Sequence, residues 1–274
     1  MAVAKIGDAN IEYYVEGSGP PLLMIMGFAG MANAWGDPFL SLLRPRFTII
    51  RLSNRGTGLS DMPAETPVTI RLMADDAAGL LAGLGIGRTH VFGISMGGMI
   101  AQELALGHPS LVHGLVMGCT NCGPARSVPA QAEVISQMGQ LMSLVERPAA
   151  EQIEEFWKVA VTPEFVENGR EFLADIAREG MKTPPTLAAL GRQFAAIQSF
   201  DSYDRLPQIT APTMIIHGDR DLLVPVANAQ ILAQRIPGAQ VRIIPDVGHM
   251  FFWEKPRESA EAICSFLDSA TPGG

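Results

Sequence analysis

The chain has 274 residues, enough for one large α/β domain with an insertion or for two ordinary domains. At 47% hydrophobic and 18% charged residues it lies far from disordered, collagen-like and coiled-coil compositions. Its net charge of −8 lacks the basic footprint needed to neutralise a phosphate backbone, so no nucleic-acid partner is expected.

Taken from the start, MAVAKIGDANIEYY has neither a basic n-region nor an apolar h-region. Three cysteines, Cys119, Cys122 and Cys264, are too few and odd in number for a disulfide framework, so the expected compartment is the cytoplasm. A polar-apolar strand from Ile11 runs through the turn Gly17-Ser18-Gly19-Pro20-Pro21 into the unbroken apolar run Leu22-Leu23-Met24-Ile25-Met26. Such a run predicts a strand buried on both faces. The apolar stretch from Leu22 to Ala32 is shorter than the roughly 20 residues of a spanning helix and is broken by Gly27 and Gly30, so no membrane span is expected. Similar runs at Phe47–Leu52, His90–Ile94, Leu111–Met117, Thr213–His217 and Val241–Ile244 alternate with helix-length segments such as Ile70–Leu84 and Met96–Gly107. Strands alternating with helices predict a mainly parallel sheet covered on both faces.

The alternation stops between about Gly123 and Gln208. There Ile153, Phe156, Trp157, Ala160 and Val161 follow helical spacing on one face, with Glu151, Glu154, Glu155 and Lys158 on the other. Pro129, Pro148, Pro163, Pro184 and Pro185 divide the stretch into about four helices. Because strand signals return at Thr213, the stretch reads as an insertion into one sheet. The expected organisation is a core of residues 1–122 and 209–274 carrying a helical cap of residues 123–208.

Gly93-Ile94-Ser95-Met96-Gly97 fits G-x-S-x-G and sits where the motif needs to be, after an apolar strand and before a helix. The glycines let neighbouring elements pack closely around a nucleophile on a strained turn, and the helix N-terminus favours developing negative charge. Downstream, Asp219 and Asp221 follow the strand ending at His217, and His249 follows the strand Val241–Ile244. In a parallel sheet all three loops open at the carboxyl ends of strands, where ligands bind.

The chain order Ser95, Asp221, His249 resembles that of the α/β-hydrolase superfamily. Further resemblances lie in Gly27-Phe28, similar to the oxyanion segment, and in Asn54-Arg55-Gly56-Thr57-Gly58-Leu59-Ser60-Asp61, similar to the R-G-x-G-x-S-D loop. Ile209-Thr210-Ala211-Pro212-Thr213 resembles the lead into the strand before the acid. Among subgroups the chain looks most like small cofactor-free serine esterases, enol-lactonases and haloperoxidase-like perhydrolases. The resemblance implies an eight-stranded, mostly parallel sheet and a triad with Ser95 as nucleophile, His249 as base and Asp221 as the acid that orients it. The backbone N–H groups of Phe28 and Met96 would form the oxyanion hole. The family spacing G-x-x-D favours Asp221 over Asp219. Met26 stands where His usually precedes the oxyanion glycine, and Ser53 where Asp usually opens the R-G-x-G loop.

The implied activity is cleavage of a small apolar carboxylic ester or lactone through an acyl-serine, without cofactor or metal. Acyl transfer to peroxide and C–C bond hydrolysis are alternative outcomes of the same triad, and a ligand-binding protein on a hydrolase scaffold is the non-enzymatic one. Homo-oligomerisation stays open. Cys119-Thr120-Asn121-Cys122 is a C-x-x-C without a second pair, which reads as pocket wall rather than as a redox or zinc site. Met24, Met26, Met31, Met96, Met99, Met138 and Met142 read as adaptable apolar filling. Glu151, Glu154 and Glu155 could meet a substrate amine, as cap carboxylates do in proline iminopeptidases, but their spacing fits a solvated helix face. Asp246 reads as a loop carboxylate, and His90, His108, His113 and His217 as structural histidines.

Overall fold

The computed structural model describes residues 1–143 and 149–270, with the side chains of residues 140–153 outside that description. In chain order the elements are β1 (Ala2–Ile6), β2 (Ala9–Gly17), β3 (Pro21–Ile25), α1 (Asp37–Leu43), β4 (Thr48–Leu52), α2 (Ile70–Gly83), β5 (Thr89–Ile94), α3 (Met96–Gly107) and β6 (Val112–Gly118). Five helices follow without an intervening strand among the described residues: α4 (Ala132–Ser143), α5 (Ala149–Ala160), α6 (Pro163–Asn168), α7 (Arg170–Gly180) and α8 (Leu187–Gln198). The chain then returns to β7 (Thr213–Gly218), α9 (Ala227–Arg235), β8 (Gln240–Ile244), α10 (Phe251–Glu254) and α11 (Pro256–Ala270).

The strands form one eight-stranded sheet in the order β1-β2-β4-β3-β5-β6-β7-β8. β2 pairs antiparallel with β1 and β4, and every pair from β4 onward is parallel. The unbroken apolar runs are explained by two cores. Leu23, Ile25, Val91, Leu115 and Ile215 point to the face covered by α2, α3 and α9. Their neighbours Leu22, Met24, Phe92, Val116 and Ile216 point to the other face, covered by α1 and α11. A strand that buries both faces has no polar position to alternate with.

Two expectations need correction. The N-terminal segment before Ile11 contributes β1, a short edge strand that lacks the apolar run used to find the others. Among the described residues the segment between β6 and β7 holds five α-helices where about four are expected, because Pro163 opens α6 behind the Thr162 cap and Gly169 separates it from α7. Of the stripe read in this segment, Trp157, Ala160 and Val161 are buried and Phe156 is partly buried against the same core, while the side chains of Ile153 and Glu151 lie outside the described residues. Glu154 is exposed and Glu155 pairs with Lys158, as a solvated face requires. Met24, Met26, Met31, Met96 and Met99 are buried; Met142 lies among the side chains not described. Among the described residues no helix is long and apolar enough to cross a membrane.

Candidate active site

The parallel strands β5, β7 and β8 deliver Ser95, Asp221 and His249 to one edge of the sheet, each in the loop after its strand. Ser95 has φ +57° and ψ −123°, a backbone conformation that L-residues rarely adopt, and it directly precedes α3. The turn is close-packed. A Cβ on Gly93 would lie 2.1 Å from the Gly97 carbonyl oxygen, and one on Gly97 would lie 2.1 Å from that of Ile25, so both positions require glycine. The strained residue is held by Ser95 N–H donating to Gly118 O at 2.9 Å and by Thr120 Oγ1 donating to Ser95 O at 2.7 Å. Its side chain is partly exposed.

Asp221 and His249 meet at 2.8 Å between Oδ2 and Nδ1. Oδ1 of Asp221 accepts from Leu223 N–H and Val224 N–H, both at 2.9 Å. His217 Nε2 lies 3.3 Å from Oδ2 and 2.7 Å from Val224 O, which sets its tautomer with the proton on Nε2. Burial works to raise the Asp221 carboxyl, but the charge of His249 and the hydrogen bonds from His217 and His249 hold it well below the usual carboxylate range. An ionised Asp221 at Nδ1 fixes the His249 proton there and leaves Nε2 as the basic nitrogen. Asp219, by contrast, is exposed and reaches only Val247 N–H at 3.4 Å, and Asp246 is exposed at a turn with φ +54°.

The loop after β3 borders Ser95, because a Cβ on Gly27 would lie 2.9 Å from Ser95 Cβ and 3.5 Å from its Oγ. Two backbone N–H groups next to these residues have no backbone acceptor among the described residues. Met96 opens α3, so its N–H has no intrahelical acceptor, and Phe28 N–H makes no hydrogen bond among the described residues. The ring of Phe28 packs edge-on against Phe194 of α8, with centroids 6.4 Å apart, and Phe194 remains 42% exposed.

Cys119, with φ +42°, sits against the acid: its Sγ, a ring nitrogen of His217 and an oxygen of Asp221 lie within 4.8 Å of one another. Such a trio could ligate a metal, but the Asp221 oxygens already accept four N–H donors, and burial pushes the Cys119 thiol far above its usual range. Cys122 faces elsewhere, 4.0 Å from Ser127 Oγ, so the C-x-x-C does not form a pair.

Three contributors carry no signal that sequence reasoning used. His217, which the sequence alone reads as structural, lies 3.3 Å from Asp221 Oδ2, four residues further along the chain. Glu254 accepts from Gly248 N–H at 2.7 Å and from Thr162 N–H at 3.1 Å, tying the His249 loop to the start of α6. Glu12 of β2 resolves the departure at Ser53: Ser53 Oγ donates to Glu12 Oε2 at 2.7 Å and accepts from Ala32 N–H at 3.0 Å, so the carboxylate arrives from a neighbouring strand. At Met26 no side-chain hydrogen bond replaces the usual histidine; its carbonyl accepts from Asn54 Nδ2 at 2.9 Å.

Residues 20–256 match the family model for the alpha/beta hydrolase fold. The RutD protein of Stutzerimonas stutzeri, named for carbamate hydrolysis, is 31% identical over 246 residues, covering 86% of each chain. A pimeloyl-[acyl-carrier protein] methyl ester esterase of Aeromonas hydrophila is 27% identical over 92% of this chain and 96% of its own. The solved structure of a thermophilic esterase from Thermogutta terrifontis aligns with a TM-score of 0.81 at 27% identity, covering 98% of this chain and 97% of that one.

Proposed function

The chain belongs to the alpha/beta hydrolase fold family and is a hydrolase, and from that premise we propose that it cleaves small apolar carboxylic esters or lactones through an acyl-serine intermediate. Ser95 is the nucleophile. His249 Nε2 takes its proton as Oγ attacks the carbonyl carbon, and Asp221 stabilises the imidazolium that results. The N–H groups of Phe28 and Met96 receive the oxyanion of the tetrahedral intermediate. As the intermediate collapses, His249 returns the proton to the departing alkoxide; water then attacks the acyl-serine by the same route. Apart from substrate and water, each step uses groups of this chain, so the mechanism calls for no cofactor.

The observation that carries the reading is the strained Ser95, φ +57° at a helix start, on the same sheet edge as a 2.8 Å Asp221–His249 pair. The apolar substrate preference follows from the Phe28 and Phe194 rings beside the oxyanion position. The names of the methyl ester esterase and the thermophilic esterase among the relatives support an ester. Residues 123–208 act as the cap over a core of 1–122 and 209–274. Three free, buried cysteines suit a reducing cytoplasm.

The test is hydrolysis of p-nitrophenyl esters from acetate to decanoate, with simple lactones alongside and Ser95→Ala in parallel. Wild type is expected to turn over with a chain-length optimum, and Ser95→Ala to fall by at least about 10⁴-fold. Turnover that survives in Ser95→Ala, or a wild type inert to esters and lactones alike, would overturn the proposal.

A further inference from the structure

Gln193 lies on α8, in the segment between β6 and β7, and is only 1% exposed. Its amide is used at both ends. Oε1 accepts from Ala29 N–H at 3.0 Å, and Nε2 donates to Arg55 O at 2.8 Å. Since a backbone N–H can only donate and a carbonyl can only accept, the two partners fix which way the amide faces.

Ala29 follows Phe28 and has φ +59°, a left-handed conformation that a residue with a Cβ keeps only when its surroundings hold it. On the other side of Phe28, Asn54 Nδ2 holds the Met26 carbonyl at 2.9 Å. The anchor for Gln193 is itself rigid. Arg55 is buried and binds Asp76 through Nε at 2.6 Å and Nη2 at 2.8 Å, and Nη2 also reaches Asp8 at 2.8 Å. The Phe28 peptide is therefore suspended between two side-chain amides, one from the loop after β4 and one from α8.

We infer that Gln193 is a positioning residue that holds the oxyanion donor of Phe28 in place, so that the hole is complete only while α8 is docked on the loop after β3. The inference rests on the serine-hydrolase reading above. Among the described residues Gln193 makes no hydrogen bond to Ser95 or His249, and it acts through Ala29. A donor aimed at a developing oxyanion strengthens the transition state more than bound substrate, so loosening it lowers kcat and leaves KM nearly unchanged.

The experiment compares Gln193→Met, which keeps side-chain length without hydrogen bonds, with Gln193→Glu, which keeps an acceptor for Ala29 N–H. Ala196→Gly on the same helix serves as a control that weakens α8 without touching the amide. For Gln193→Met the expected kcat loss is about 10- to 100-fold, below the 10²–10³ of a deleted donor, with KM within about threefold. The inhibition constant of an alkylboronic acid, which forms a tetrahedral adduct on serine, should weaken by the same factor as kcat/KM. Gln193→Glu keeps the acceptor for Ala29 N–H but sets an oxygen against the Arg55 carbonyl, so it should retain more kcat than Gln193→Met and less than wild type; should the methionine variant fail to fold, Gln193→Leu is read against the same kcat and KM limits. The inference is overturned if melting temperature falls while kcat stays within twofold of wild type, if only KM rises, or if Ala196→Gly loses kcat equally. Failure of the underlying reading looks different: the wild-type rate would survive Ser95→Ala.

Discussion

Replacing Asp221 by asparagine tests the charge logic of the site at one atom. In the native protein Oδ1 accepts two backbone N–H groups at 2.9 Å, while Oδ2 faces His249 Nδ1 at 2.8 Å and His217 Nε2 at 3.3 Å. The asparagine oxygen can keep the two backbone donors, which leaves its NH₂ pointing at both rings. An NH₂ is a donor, so His249 must present an unprotonated Nδ1 and carry its proton on Nε2. That nitrogen then cannot accept the Ser95 proton. The same replacement in serine proteases costs about 10⁴-fold in kcat. At about 1.36 kcal/mol per tenfold this is about 5.4 kcal/mol of transition-state stabilisation. The assay is kcat on p-nitrophenyl butyrate for Asp221→Asn and Asp219→Asn side by side. Asp219 is exposed with one long contact to Val247 N–H at 3.4 Å, so Asp219→Asn should stay within about twofold of wild type. A loss under tenfold for Asp221→Asn, or a larger loss for Asp219→Asn, would refute the reasoning.

Two further outcomes concern buried polar groups elsewhere in the core. Ser53→Asp restores the family's residue but places a second carboxylate against Glu12, at a hydroxyl now 2.7 Å from it. Repulsion of about 4 kcal/mol at roughly 4 Å and an effective dielectric of about 20 should lower Tm by about 8 °C at about 2 °C per kcal/mol. Calorimetry should show recovery in Ser53→Asp/Glu12→Gln, and an unchanged Tm in the single variant would disprove the carboxylate substitution. His90 is pulled down to about 4 by burial and by the neighbouring charge of His113. Because the unfolded histidine takes up its proton first, this group's contribution is intact above about pH 6.5 and is lost as the pH falls toward 4. Urea midpoints between pH 7 and 4 should therefore fall less steeply for His90→Gln than for wild type, and parallel slopes would contradict it.

The parts of the fold that were legible were those written locally. Leu22–Met26 and its counterparts announce doubly buried strands, and Ser95, Asp221 and His249 are each marked by the strand just before them. What stayed illegible depends on partners distant in the chain. Gln193 meets Ala29 across 164 residues and Ser53 meets Glu12 across 41, and neither glutamine nor glutamate differs in sequence from its solvated kin. β1 leaves no apolar run because it is an exposed edge strand, and α6 shows no period because a six-residue helix has too few turns.

The central claim is that Ser95 is an activated nucleophile, and the most direct measurement is covalent labelling of the intact protein by a fluorophosphonate, read by intact mass and peptide mapping. A single adduct is expected, on Ser95, formed in step with loss of esterase activity and absent from Ser95→Ala. Labelling elsewhere with activity lost, or full esterase activity in an unlabelled Ser95→Ala protein, would contradict it.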